Sequence, residues 1–163
     1  MRHMIRLAII ISCITSSVAA GWAASAHGTL KAKIDYTGST VVDGKHKAYL
    51  LLFDANPFTA SSLVDSTGEA TPPAAAAGVS HILRRISASD KNATISVTDV
   101  PVSPVYVAAF IDASGAYDGH SGPFAGSPMT VYGKALDKAE PINLEEGKPT
   151  EIVITFGDSF RVP

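Results

Sequence analysis

The chain has 163 residues with a single cysteine, and 13 Lys+Arg stand against 15 Asp+Glu. That length suits one domain, and a net charge of −2 with no clustered basic face argues against a nucleic-acid partner. The composition also excludes a disordered chain, a collagen and a disulfide-stapled miniprotein, but it names no reaction.

The first segment reads as an address. Arg2 and Arg6 open it, Leu7 to Ile14 is an apolar run broken by Ser12, and Gly21 and then Ala24-Ser25-Ala26 close it. That is the order of a secretory signal peptide. Residues 1–26 are therefore expected to be removed and residues 27–163 to form one domain. The cut is placed after Ala26, with Ala20 as the alternative. Leu7 to Ala26 just reaches the ~20 residues of a spanning helix, but its Ser-, Ala- and Gly-rich second half favours cleavage over anchoring. Ile10-Ile11-Ser12-Cys13 loosely resembles a lipoprotein box that would acylate Cys13. The apolar stretch ahead of it is short for an h-region of about 7–15 residues, so Cys13 reads as one more small apolar residue. Cleavage takes Arg2, Arg6, Cys13 and Trp22 away from the 163 residues, leaves 137, and moves the net charge from −2 to −4. The expected product is periplasmic or extracellular, has no stable membrane insertion, and is held together by its core without a disulfide.

Short strands dominate the remainder of the chain. Leu30, Ala32, Ile34 and Tyr36 alternate with Lys31, Lys33 and Asp35, the period of a half-buried strand. Lys47 to Phe53 is apolar on both faces and reads as a central strand. Residues 54–78 read as a long connection with Asn56-Pro57, Thr71-Pro72-Pro73 and four alanines, and with a short helix or turn near Ser61 to Val64. Val79 to Ile86 is ambiguous in period and is taken as a strand. Ala93 to Val97 alternates, Val105 to Ile111 is the strongest strand, and a Gly-rich loop runs from Asp112 to Pro128. Met129 to Tyr132, an edge pairing at Ile142 to Leu144, and Glu151 to Phe156 complete the chain. No segment carries a long helical period. About seven short strands separated by turns predict an all-β, antiparallel β-sandwich. Its core is expected to hold Leu50, Leu52, Ile95, Val97, Val107, Ala109, Ile152 and Ile154.

Three stretches carry a resemblance: Ala48-Tyr49-Leu50-Leu51-Leu52-Phe53-Asp54, then Val97-Thr98-Asp99-Val100-Pro101 leading into Val105 to Asp112, and Asp112-Ala113-Ser114-Gly115-Ala116-Tyr117-Asp118-Gly119. They look like a family of small exported bacterial β-sandwich proteins of unassigned function, and they are similar to the prealbumin-like (carboxypeptidase-regulatory-like) domains. Ser114 stands where relatives often have Asn or Asp, and Ser103-Pro104 where they often have Gly. The resemblance implies an Ig-like or prealbumin-like fold and a non-catalytic role, and no substrate.

Four places in the sequence bear on chemistry. In the loop after the strongest strand, Asp112, Ser114 and Asp118 can supply oxygens to a weak calcium site, although the EF-hand spacing fails at Ala116 and Tyr117. The competing reading is a turn in which Asp and Ser bond their own backbone. The same loop sits on a rigid strand and carries Gly115, Gly119, Gly122 and Gly126, so it is expected to make the functional contact, with Tyr117 as an exposed anchor. Asp54-Ala55-Asn56-Pro57 reads as an Asx turn at the opposite end of the fold. Gly119-His120-Ser121-Gly122-Pro123 misses a nucleophile elbow at its last position and lacks the strand–elbow–helix context. Cleavage after Ala26 would make His27 the N-terminal residue, able to chelate copper through amine and imidazole if His46, His81 or His120 came near. The expectation is an exported, non-catalytic binding or accessory module of the cell envelope that needs no cofactor beyond weak calcium. Its partner would be an envelope protein or glycan. The rival is a copper-binding protein or copper-dependent enzyme built on His27.

Overall fold

Why the chain adopts strands is plainest at its start. In the computed structural model, which describes residues 28–69, 76–101, 103–120 and 122–163, strand β1 (Gly28–Tyr36) buries Leu30, Ala32, Ile34 and Tyr36 and turns the residues between them outward. The same alternation builds β5 (Thr94–Val100) and β8 (Pro149–Phe156), which flank β1 in a three-stranded sheet of order β5-β1-β8. The outer face of this sheet is polar apart from Val153, with Lys31 bonded to Glu151 at 3.3 Å.

The second sheet is built differently. It has five strands in the order β3-β4-β2-β6-β7, comprising β2 (Ala48–Phe53), β3 (Ser62–Asp65), β4 (Val79–Ala88), β6 (Tyr106–Ile111) and β7 (Met129–Val131). Its centre, β2 beside β6, is buried on both faces. Leu50, Leu52, Val107, Ala109 and Ile111 join one apolar cluster with Leu30, Ile34, Ile95, Val97, Ile152 and Ile154 of the other sheet. Leu51, Phe53, Ala108, Phe110 and Val131 form a separate cluster on the opposite face. All eight residues expected in the core are buried in the first cluster. Each fully buried Leu, Ile or Val contributes ~1.5–3 kcal/mol by leaving water.

The fold is all-β, with a single 3-10 turn at Leu136–Lys138 and no α-helix among the described residues. No helix there is long and apolar enough to cross a membrane. Two expectations need correction. The sheets are mixed: β1 pairs β8 in parallel, and β3 pairs β4 in parallel, while the remaining pairings are antiparallel. Alternation tells which residues face inward but not which way a neighbouring strand runs, so Ile152 beside Ala32 and Ile154 beside Ile34 satisfy the core in a parallel register. The helix or turn expected near Ser61 to Val64 is instead strand β3, all four of whose residues are exposed. The 66–78 connection has the dozen or so residues that a parallel crossover requires. The expected signal peptide of residues 1–26, with Cys13 and both cleavage sites, and His27 lie outside the described residues.

At the chain's end, the Asp158 carboxylate accepts bonds from the Tyr36 hydroxyl, from Ser39 N–H at 2.9 Å and Ser39 Oγ at 2.7 Å, and pairs with Arg161 at 2.9 Å. The Tyr36 hydroxyl is the main reason that its carboxyl is held far below the usual range. This knot ties the end of β1 to the residues that come after β8.

Replacing Leu50 or Leu52, both fully buried, by alanine is expected to cost ~2–5 kcal/mol in urea unfolding. A loss below about 0.5 kcal/mol for both would contradict their placement, since surface changes fall within that range.

Candidate functional site

The outer face of the five-stranded sheet is apolar and needs a cover. The loop after β6 supplies it, and Asp112 shapes that loop. Asp112 is 2% exposed. Its Oδ1 accepts from Ser114 N–H at 3.1 Å, Ser114 Oγ at 2.6 Å and Gly115 N–H at 3.0 Å, and its Oδ2 accepts from Tyr117 N–H at 2.9 Å. Burial alone would raise this carboxyl, but the hydrogen bonds from Ser114, Tyr117 and Gly115 together outweigh it and hold the group below its ordinary range. Gly115 closes the turn with a φ of +65°, and a Cβ there would stand 2.8 Å from Lys45 Cγ.

The turn aims Tyr117 back at the sheet. Its ring stands edge-on to Tyr49 at 4.7 Å between centroids and to Phe110 at 5.0 Å, while Tyr49 stacks on Phe110 at 5.0 Å. Such pairs add ~0.5–1.5 kcal/mol each beyond the area they bury. Burial is also the main cause that raises the hydroxyls of Tyr49 and Tyr117 above their usual range. Tyr117 is thus a half-buried member of an aromatic cluster, not the exposed anchor expected from the sequence. The Arg85 guanidinium lies 6.0 Å from its ring centre and 3.2 Å from Asp65 Oδ2, and Arg85 Nε is buried without a hydrogen-bond partner.

The cover is incomplete. Between Tyr117 and β3 lies a cleft of roughly 250 Å³. Leu51, Phe53 and Ile82 of the sheet line it together with Tyr117 and Met129, and Phe58 and Leu63 stand at its other side. Asp65, His120 and the Tyr117 hydroxyl are its titratable members. Phe58 is 39% and Leu63 55% exposed, so apolar surface faces water here. An apolar concavity with a few polar groups is the usual form of a ligand site.

The remaining expected site residues fall elsewhere or serve other ends. Ser114 Oγ bonds Asp112 and receives Ala116 N–H at 3.0 Å. Asp118 is exposed and accepts from His120 N–H at 2.8 Å. Asp112 and Ser114 bond within their own loop, and no group of three or more His, Cys, Asp or Glu side chains positioned to hold a metal occurs among the described residues. His46 bonds Asp43 at 3.1 Å beside the start of β2, His81 lies by the far end of β2, and His120 is in the cleft, so these three do not converge.

Sequence reasoning missed one pair. His81 Nδ1–H donates to Asp54 Oδ2 at 2.6 Å, and His81 N–H donates to Asp54 Oδ1 at 2.7 Å, with both side chains under a tenth exposed. Asp54 comes directly after β2 and His81 stands near the start of β4, so antiparallel pairing brings them together. The long connection between them hides this, although a carboxylate and an imidazole at matching strand ends are its only trace in the sequence. The pair anchors the turn that carries Phe58 to the cleft.

No protein-family model matches the chain, and neither a curated protein nor a solved structure shows significant similarity to it.

Asp54→Ala leaves the buried His81 imidazole without its acceptor and is expected to cost ~1–3 kcal/mol in chemical denaturation. Asp112 has a folded-state pKa below its unfolded one, so its contribution to stability is present above the unfolded value of ~3.9 and is lost as pH falls through the lower folded value. Melting temperatures recorded from pH 6 down to pH 2 are therefore expected to drop less steeply for Asp112→Asn than for the parent.

Proposed function

We propose that the protein is an exported, non-catalytic binding module of the cell envelope, built as a prealbumin-like β-sandwich, and that it takes an apolar group of its partner into the cleft between Tyr117 and β3. The observation that carries this reading is the cleft itself. Water-facing Phe58 and Leu63 stand beside an apolar floor of Leu51, Phe53 and Ile82, and the Asp112 turn and the Asp54–His81 pair tie down the segments that carry Tyr117 and Phe58. One apolar cluster shared by both sheets supports the sandwich reading. The charged start, apolar run and Ala24-Ser25-Ala26 ending support export. The lining carries few hydrogen-bonding groups, which favours an apolar side chain or acyl group over a glycan, since a glycan would call for more of them on the walls.

A neutral fluorescent probe, N-phenyl-1-naphthylamine, tests the cleft. Its emission is expected to rise on adding the protein. The double variant Phe58→Ser, Leu63→Ser changes two exposed side chains and should keep the parent melting temperature. It is expected to weaken probe affinity about tenfold or more, the effect of losing one to two buried apolar groups. No rise with the parent protein would remove the cleft as a binding site.

A further inference from the structure

Among the described residues the two sheets have four edge strands, β3, β7, β5 and β8. Three of them are guarded. Strand β3 is four residues long. Strand β7 is three residues long, and Met129 N–H donates to the Phe160 carbonyl at 3.2 Å, so the end of the chain covers it. Strand β5 bends at a bulge, where Asp99 takes a φ of 52° and its carbonyl accepts from Arg84 at 3.2 Å. Short edges, bulges and covering segments are the usual defences against pairing with another chain. Strand β8 lacks all three. It is eight residues long, pairs β1 residue for residue without a shift, and contains no Lys or Arg.

The main-chain groups that β8 leaves open follow from its pairing. Ile34 and Tyr36 N–H donate to Ala93 and Lys91, on the β5 side of β1, whereas Thr37 N–H donates to the Phe156 carbonyl at 2.8 Å. The odd-numbered residues of β1 therefore bond toward β8. In a parallel ladder such a residue bonds the two neighbours of the residue opposite it. Lys33 stands opposite Val153, so it bonds Ile152 and Ile154. The N–H and C=O of Glu151, Val153 and Thr155 point outward, and no loop backbone bonds them among the described residues. Pro149, which has no N–H, takes an outward position too, as a proline in an edge strand must. The side chains of Glu151, Val153 and Thr155 are exposed, Val153 at 58%.

We infer that β8 pairs antiparallel with β8 of a second copy of this chain, about a two-fold axis at Val153, so that the two three-stranded sheets become one. The strand is self-complementary in this register. Val153 lies midway between Pro149 and Gly157, so a two-fold there overlaps the open groups fully, and a slip along the strand loses some of them. Val153 exchanges both main-chain bonds with its own counterpart, and Glu151 does so with the partner's Thr155, which gives about six bonds in all. On the outer face the two Val153 side chains meet as an apolar cross-strand pair, and each Glu151 meets a threonine rather than a like charge. Glu151 already has Lys31 beside it at 3.3 Å. The groove alongside β8 is lined by one cation and one anion, Lys134 and Glu140, and presents no wall of a single sign to the second copy. Such an interface is isologous and closes at the dimer. It lies on the other sheet from the cleft, so it stands independently of the cleft's role.

Sedimentation equilibrium across the micromolar to millimolar range, in reducing buffer so that Cys13 cannot link copies, tests this with the parent and with Val153→Lys and Val153→Glu. Both substitutions fall on an exposed side chain and should leave the melting temperature of dilute protein unchanged. The parent is expected to dimerise reversibly. Each variant alone sets like charges against each other at the two-fold and is expected to dimerise about tenfold or more weakly. An equal mixture of the two sets opposite charges there and is expected to recover dimers to within a few-fold of the parent. Amide hydrogen exchange at Glu151, Val153 and Thr155 is expected to slow as parent concentration rises, while Ile152 and Ile154, already bonded to β1, stay as they are. A parent that remains monomeric up to about 1 mM overturns the inference, since affinity weaker than that is negligible. Single variants that associate as the parent does place the contact elsewhere and overturn it. So does a mixture no better than either variant, because Val153 then does not face its own counterpart. Assemblies that grow beyond the dimer overturn the two-fold closure, and a dimer without slowed exchange at the three outward amides overturns the strand pairing.

Discussion

A sheet that is apolar on both faces has to be covered twice, and most of this structure depends on that requirement. The strands β2 and β6 place Leu50, Leu52, Val107 and Ala109 on one side and Leu51, Phe53, Ala108 and Phe110 on the other. The three-stranded sheet covers the first side. No third sheet exists for the second among the described residues, so loops must do it. Asp112 makes one of them able to: four donors from its own turn converge on one carboxylate and fold the chain back so that Tyr117 reaches Tyr49 and Phe110. The carboxylate is stable while buried because nearly every acceptor direction is used.

A loop covers a sheet less completely than another sheet does. The uncovered remainder is the cleft, bounded by Tyr117 on one side and by β3 and the Asn56–Phe58 turn on the other. Each boundary is held by a polar device at its base. Asp112 fixes the first, and the Asp54–His81 pair fixes the second. Asn56 Oδ1 then accepts Phe58 N–H at 3.0 Å and sets the direction of that side chain. A cavity held in this way is formed before any ligand arrives, which limits the ordering cost of binding. Arg85 joins the two sides by lying over Tyr117 and pairing with Asp65.

Four aspartates have structural contacts. Asp158, Asp112, Asp54 and Asp43 each accept bonds from nearby turns or strands. The lone pairs of these carboxylates are engaged by those donors. The outer face of the five-stranded sheet leaves apolar area uncovered beside Phe58 and Leu63.

Much of this fold was legible in the residues. Period-two alternation marked β1, β5 and β8, uninterrupted apolar runs marked β2 and β6, and the eight residues assigned to the core from these patterns are buried. The loop at Asp112 was legible as well, since an Asp-x-Ser-Gly turn after a strong strand engages its own backbone. Strand β3 was not, because its four exposed residues carry no burial pattern to read. The direction of β8 was not, because side-chain alternation is the same for parallel and antiparallel neighbours. The Asp54–His81 pair and the inward turn of Tyr117 join residues far apart in the chain or across strands. By itself the sequence determined which residues leave water, through local periodicity. Tertiary structure alone decided which strands meet, in which direction, and what part of the second apolar face stays open, because these depend on how distant segments share one surface.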